Sequence, residues 1–121
     1  SPAQSAATLS GDPLDESDCD ITLRMISVGQ PHRAIPVTGS MCAAIAAQIT
    51  DTVVNRLCRP AAAPDDIRIA HPSGVARVGA TVTQQKGKWV ADNAVLYRTA
   101  RRLMDGHVYV SAARTPGLLA D

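Results

Sequence analysis

Thr38-Gly39-Ser40 offers two hydroxyls and a glycine at the point where a loop runs into an apolar segment. At a helix start such residues bring free backbone N–H groups and a partial positive charge to one spot, the chemistry of anion binding. Capping of the helix by Thr38 or Ser40, with no ligand, fits the same residues. Cys42 follows two residues later. A helix N-terminus lowers a thiol pKa and apolar burial raises it, so Cys42 reads first as core and only second as a nucleophile. His32 and Arg33 lie in the preceding loop, where either side chain could meet a carboxylate or simply bond to the loop. His71-Pro72-Ser73-Gly74 reads as a turn that could also present the Ser73 and Gly74 amides. Arg98, Arg101 and Arg102 cluster near Tyr97. They suit a solvated strand face or a contact with another lobe better than nucleic acid, because the chain as a whole carries almost no net charge.

These groups need a framework to position them. With 121 residues the chain is long enough for one small domain with a core. Twelve basic and 11 acidic residues leave a formal charge of +1, so no strong field favours nucleic acid or a membrane surface. No apolar run approaches the length of a membrane span, and the first residues lack the pattern of a signal peptide. Trp89, Tyr97 and Tyr109 are the only aromatic residues, so the core must be built from Ala, Val, Ile and Leu. Cys19, Cys42 and Cys58 form an odd count with no C-x-x-C pair. That fits a reducing, cytoplasmic compartment better than a disulfide framework or a zinc site.

Residues 1–19 are polar and carry Gly11 and Pro13, and they read as a linker or disordered arm. Asp20–Val28 is a strand candidate. Gly29–Gly39, with two prolines, reads as irregular, and a helix follows over Ser40–Ile49 with no polar stripe. A helix apolar all round is one that is covered all round. Thr52–Cys58 reads as a strand and Arg59–Asp66 as a loop. Ile67–Ala70 is a short strand, and Val75–Gln84 alternates cleanly. Gln85–Lys88 turns the chain, and a return strand begins at Trp89. His107–Ala112 reads as a last strand, and residues 114–121 as a tail. The sum is an α+β domain, a curled, mostly antiparallel sheet wrapped around one central apolar helix.

"RMISVGQPHRAIPVTG", "AHPSGVARV" and "YRTARRLMDGHVYV" together resemble the C-terminal half of the PrpF-type family. That family comprises methylaconitate cis-trans isomerases, methylitaconate isomerases and oxalomesaconate tautomerases. The resemblance runs from about Asp20 to Ala112. It implies a diaminopimelate-epimerase-like fold, in which two similar lobes each wrap a sheet around a helix and the active site lies between the two helix starts. Residues 20–113 would then be the C-terminal lobe, with an N-terminal lobe of the same protein as partner.

The implied chemistry is a cofactor-independent, metal-free shift of a proton and a double bond in a small unsaturated di- or tricarboxylic acid. Thr38, Gly39 and Ser40 would bind carboxylate, helped by His32, Ser73 and Gly74. In amino-acid racemases of this fold, a catalytic cysteine lies two residues before the Thr-Gly or Ser-Gly of the helix start. Laid on this sequence, that position is Pro36, which cannot transfer a proton. The racemases' Glu-Arg pair would fall on Ser27-Val28. No catalytic residue is therefore expected in this chain, and the base is expected on the N-terminal lobe. The alternative is a non-catalytic accessory or interaction domain partnering an aconitase-like dehydratase. A half-fold that exposes apolar surface would also favour a homodimer.

Overall fold

A computed structural model describes residues 1–60 and 66–114. Its centre is a four-stranded sheet. The strands are β3 (Ile21–Thr22), β6 (Asp66–His71), β7 (Gly74–Gln85) and β8 (Lys88–Leu96), in the order β3-β6-β7-β8. β3 runs parallel to β6; the other pairs are antiparallel. Two short hairpins flank it: β1 (Ala6–Ala7) with β2 (Pro13–Leu14), and β4 (Ile26–Ser27) with β5 (Gln30–Pro31). Helix α1 (Val37–Gln48) packs on the sheet, chiefly against β7 and β8, and α2 (Val53–Leu57) packs on α1. The architecture is α+β, as expected, with the apolar helix α1 packed on the sheet.

Alternation explains which sheet face is covered. Ile67, Ile69, Val78 and Ala80 point at the helix, and Ile21 joins them from β3. Ile21, Ile69 and Val78 are fully buried. Each such side chain contributes about 1.5–3 kcal/mol of apolar burial. Ala43 and Ala44 form the contact face of α1, and their small side chains let the helix sit close to the sheet. A bulge at Thr81/Val82 interrupts the β7–β8 register. Gln48 at the end of α1 fills it, donating to the Ala80 carbonyl and accepting from the Val82 amide.

The segment Thr52–Cys58, expected as a strand, is helical. Thr52 caps the new helix by accepting from the Asn55 amide. The same hydroxyl donates to the Ala46 carbonyl at 2.5 Å, and the Asn55 side chain donates to Ala47 at 2.6 Å. The Asn55 side chain thereby satisfies the Ala47 carbonyl at the α1 C-terminus, and the Thr52 hydroxyl adds a second donor to the Ala46 carbonyl, which already accepts the Ile49 amide.

The expected strand Asp20–Val28 is broken into β3 and β4. The β4–β5 hairpin turns through Val28 and Gly29, both at positive φ (52° and 73°), the two-residue geometry that matches strand twist. Residues 1–19, expected as a linker or disordered arm, lie packed on the sheet, with Ala3 and Cys19 buried. Pro2 bridges Ile21, and Arg59 and Arg68 donate to the carbonyls of Glu16 and Ser17. Asp20, 2 % exposed, accepts from the Arg68 amide and guanidinium and anchors this segment to β6.

The last expected strand, His107–Ala112, is not formed. Residues 98–111 carry no regular structure, and Leu103, Met104, Val108, Tyr109 and Val110 are exposed. An alternating apolar pattern needs a neighbouring backbone to become a strand. The described residues present none there. The tail expected over 114–121 falls outside the described residues beyond Arg114, as does most of the Arg59–Asp66 loop. No helix among the described residues is long and apolar enough to cross a membrane.

Candidate functional site

The start of α1 is the best-placed group of backbone donors. The helix begins at Val37, three residues earlier than the sequence indicates, with Pro36 at the N-cap. Proline has a fixed φ and no N–H, so it suits the entry to a helix. It supplies no capping side chain, and no hydrogen bond from a described side chain caps this end. The first intrahelical bond runs from the Ser40 amide to the Pro36 carbonyl at 2.9 Å. The amides of Val37, Thr38 and Gly39 therefore lie ahead of the helical ladder, where a partial positive charge of roughly half a unit gathers. Thr38 is exposed, and its hydroxyl has no hydrogen-bond partner among the described residues.

The remaining expected ligand groups sort differently. Ser40 is fully buried, and its hydroxyl donates to the Val37 carbonyl at 2.7 Å, so it is a structural donor rather than a free one. A Cβ at Gly39 would meet the terminal methyl of Met25, the flexible end of a side chain that can move aside. The Ser73 hydroxyl donates to the Arg33 carbonyl at 2.6 Å and ties the 71–74 turn to the loop before α1. The Ser73 amide is also engaged, donating to His71 Nδ1 at 3.1 Å. Gly74 adopts φ 131° at the turn and opens β7. His32 is exposed; its backbone amide closes the β4–β5 hairpin on the Met25 carbonyl. Cys42, expected in the core, is exposed, because the sheet covers the opposite side of α1. Cys58 is half-buried, and burial, then the Asp20 carboxylate, push its thiol up to about 11.

A cavity of about 540 Å³ adjoins the helix start. That is the size of a small-ligand pocket. Ile35 and Ser40 line it on one side, and Val75 and Leu96 add apolar wall. His71, Arg77, Tyr97 and Arg98 supply the polar lining. No acidic side chain lines it. Burial, and secondly the charge of Arg24, lower the His71 pKa and favour the neutral ring. With Nδ1 accepting from Ser73, the neutral ring carries its proton on Nε2. Arg77 is held by Asp66, with Nε and Nη2 each at 2.8 Å, and it stacks 5.2 Å from the Tyr97 ring centre. Asp66 also accepts from the Tyr97 hydroxyl at 3.3 Å. Sequence reasoning missed this cavity because Asp66, Arg77 and Tyr97 have no common motif. Only the β6–β7–β8 register assembles them.

Among the described residues no group of three or more His, Cys, Asp or Glu side chains is arranged to hold a metal ion. The helix start offers backbone N–H groups, and the adjoining cavity offers cationic and apolar side chains. Neither contains a carboxylate, thiol or lysine placed to remove a proton from carbon.

The PrpF protein family pattern matches residues 1–111. The chain is 38% identical over 109 residues to the 2-methyl-aconitate isomerase of Shewanella oneidensis, covering 90% of this chain and 27% of that one. It is 37% identical over 107 residues to the 3-methylitaconate isomerase of Eubacterium barkeri, covering 88% of this chain and 26% of that one. In three dimensions it matches a crystal structure of methylitaconate-delta-isomerase with a TM-score of 0.70 and 32% identity, over 100% of this chain and 30% of the other. That relative has the diaminopimelate-epimerase-like fold, and the present chain takes the fold of part of it. The chain spans about a quarter of the length of the curated relatives it matches.

Proposed function

The chain belongs to the PrpF family, and on that premise we propose that it is the carboxylate-binding lobe of an isomerase acting on small unsaturated di- or tricarboxylic acids. Residues 20–113 form the C-terminal lobe, with residues 1–19 folded against it. An N-terminal lobe faces the start of α1 and supplies the base. The reaction removes a proton from the carbon α or γ to a carboxylate, passes the electron pair through a dienolate, and returns a proton at the other carbon. Extra negative charge then gathers on that carboxylate. The amides of Val37, Thr38 and Gly39 are preorganised to meet it, with the Thr38 hydroxyl beside them. Pro36 at the N-cap offers no second proton-transfer group, which suits one base shuttling a proton rather than two bases inverting a centre.

The uncapped α1 start beside an acid-free cavity is the observation that carries this reading. It is tested by titrating the 121-residue chain with methylitaconate in ordinary water, where its amide protons are observed, and by a parallel incubation of the two in heavy water. The expected result is a shift of the Val37, Thr38 and Gly39 amide resonances, without deuterium uptake or double-bond movement. Turnover by this chain alone would refute the placement of the base elsewhere. Unmoved amides would refute the anion cradle.

A second reading draws on the exposed apolar residues between Leu103 and Val110. They suit an interaction domain that docks onto another protein, such as a dehydratase, without catalysing anything itself. A full-length protein that isomerises no acid yet binds such a partner would favour it.

A further inference from the structure

The cavity beside α1 has a chemistry of its own, distinct from the amides at the helix start. Arg98 is the first residue after Tyr97, and Tyr97 is fixed from three sides. Its hydroxyl donates to Asp66, its ring lies under Arg77, and its amide donates to the Arg77 carbonyl at 3.2 Å. The end of β8 is thus latched to β6 and β7, and the chain leaves it with Arg98 and Thr99 lining the cavity. Arg77 is neutralised by Asp66, whereas Arg98 has no ion pair among the described residues. His71 lines the same cavity, with Nδ1 occupied by Ser73 and Nε2 left as a donor. A fork-shaped cation and a neutral N–H donor over an apolar wall are complementary to a carboxylate on a short carbon chain.

We propose that this cavity is a second carboxylate subsite, in which Arg98 and His71 hold the far carboxylate of a ligand whose near carboxylate rests on the α1 amides. The inference depends on the helix-start reading above for the near carboxylate. Ser40, which lies in the first turn of α1 and lines the cavity, makes the two subsites adjacent. Arg98 is then a specificity-determining residue that selects acids with two or more carboxylates, and Tyr97 is its positioning residue.

The test is a nitrogen-15 NMR titration of the chain with trans-aconitate, with crotonate as the monocarboxylate and with inorganic phosphate. Trans-aconitate should move the Arg98 side-chain and His71 ring signals as well as the Val37–Gly39 amides. Arg98→Gln should weaken trans-aconitate about tenfold and leave crotonate unchanged. Tyr97→Phe should weaken trans-aconitate less than Arg98→Gln and, again, selectively. Movement of the Val37–Gly39 amides with Arg98 and His71 unmoved would overturn the second subsite alone. Movement at Arg98 and His71 with the helix amides silent would support a carboxylate site in the cavity but overturn its pairing with the helix start. Equal loss of both acids in Arg98→Gln, phosphate matching trans-aconitate, or no shifts at all would overturn the proposal.

Discussion

Asp20→Asn tests the contact that joins the first 20 residues to the sheet. The carboxylate is 2 % exposed and meets Arg68 three times: the backbone amide at 2.7 Å, Nε at 3.2 Å and Nη2 at 2.7 Å. Asparagine retains one oxygen for the backbone amide. It loses the charge and turns an amide N–H₂ toward the guanidinium. Breaking a wholly buried pair costs about 3–5 kcal/mol. Here the Arg68 side chain is 38% exposed and regains water, so part of that penalty is relieved. The expected loss is about 2 kcal/mol, roughly a thirtyfold shift toward the unfolded chain. Urea unfolding followed by far-ultraviolet circular dichroism measures it, with the slope of the transition unchanged. Cys58 gives an independent readout. Its thiol stands at about 11 because of burial first and the Asp20 charge second. Removing the charge should lower that value by the lesser of the two contributions, seen as faster alkylation of Cys58 at alkaline pH. A loss below about 0.5 kcal/mol, the range of ordinary surface substitutions, would refute the clamp, as would a Cys58 titration identical to that of the parent.

Ser40→Ala removes a buried hydroxyl that donates to the Val37 carbonyl. Alanine's better helix propensity offsets much of the loss, so stability should fall by no more than about 1 kcal/mol. Carboxylate affinity should stay within about twofold by the same NMR titration; a tenfold loss would place the hydroxyl on the ligand. His71 should impose a pH dependence on stability. Its native pKa is lowered, by burial first and Arg24 second, so the unfolded chain binds a proton that the fold resists. Stability from this group is intact above the unfolded imidazole pKa of about 6.5 and declines as pH falls below it toward the lower native value. Urea midpoints from pH 7.5 to 5 should show this decline, and His71→Asn should remove it.

Elements set by local rules were legible in the chain. Ile67–Ala70 and Val75–Gln84 show the period of two that a half-buried strand requires. Lys86-Gly87, both at positive φ, close the hairpin as such a turn demands. The Ala-rich run of α1 announced a helix that packs closely on a sheet. It begins at Val37 rather than Ser40, a boundary the sequence does not mark because proline at the N-cap carries no hydrogen-bonding side chain. Thr52–Cys58 is helical although Val53, Val54 and Leu57 suit a strand in isolation. The deciding bonds run from Thr52 and Asn55 to carbonyls of the preceding helix.

The amino-acid sequence by itself determined the α+β class, the β7–β8 hairpin, the apolar helix, and membership of a family of isomerases. All of these follow from neighbours in the chain or from motif spacing. Tertiary structure alone decided that Ser73 ties its turn to the loop before α1, that Cys42 faces outward and that residues 1–19 pack. It also decided that Arg98 and His71 share one cavity. Those outcomes rest on contacts between residues distant in sequence: Asp20 with Arg68, Arg33 with Ser73, and Asp66 with Tyr97. Hydrogen bonding and desolvation act through space, and no local pattern encodes which distant partner will arrive.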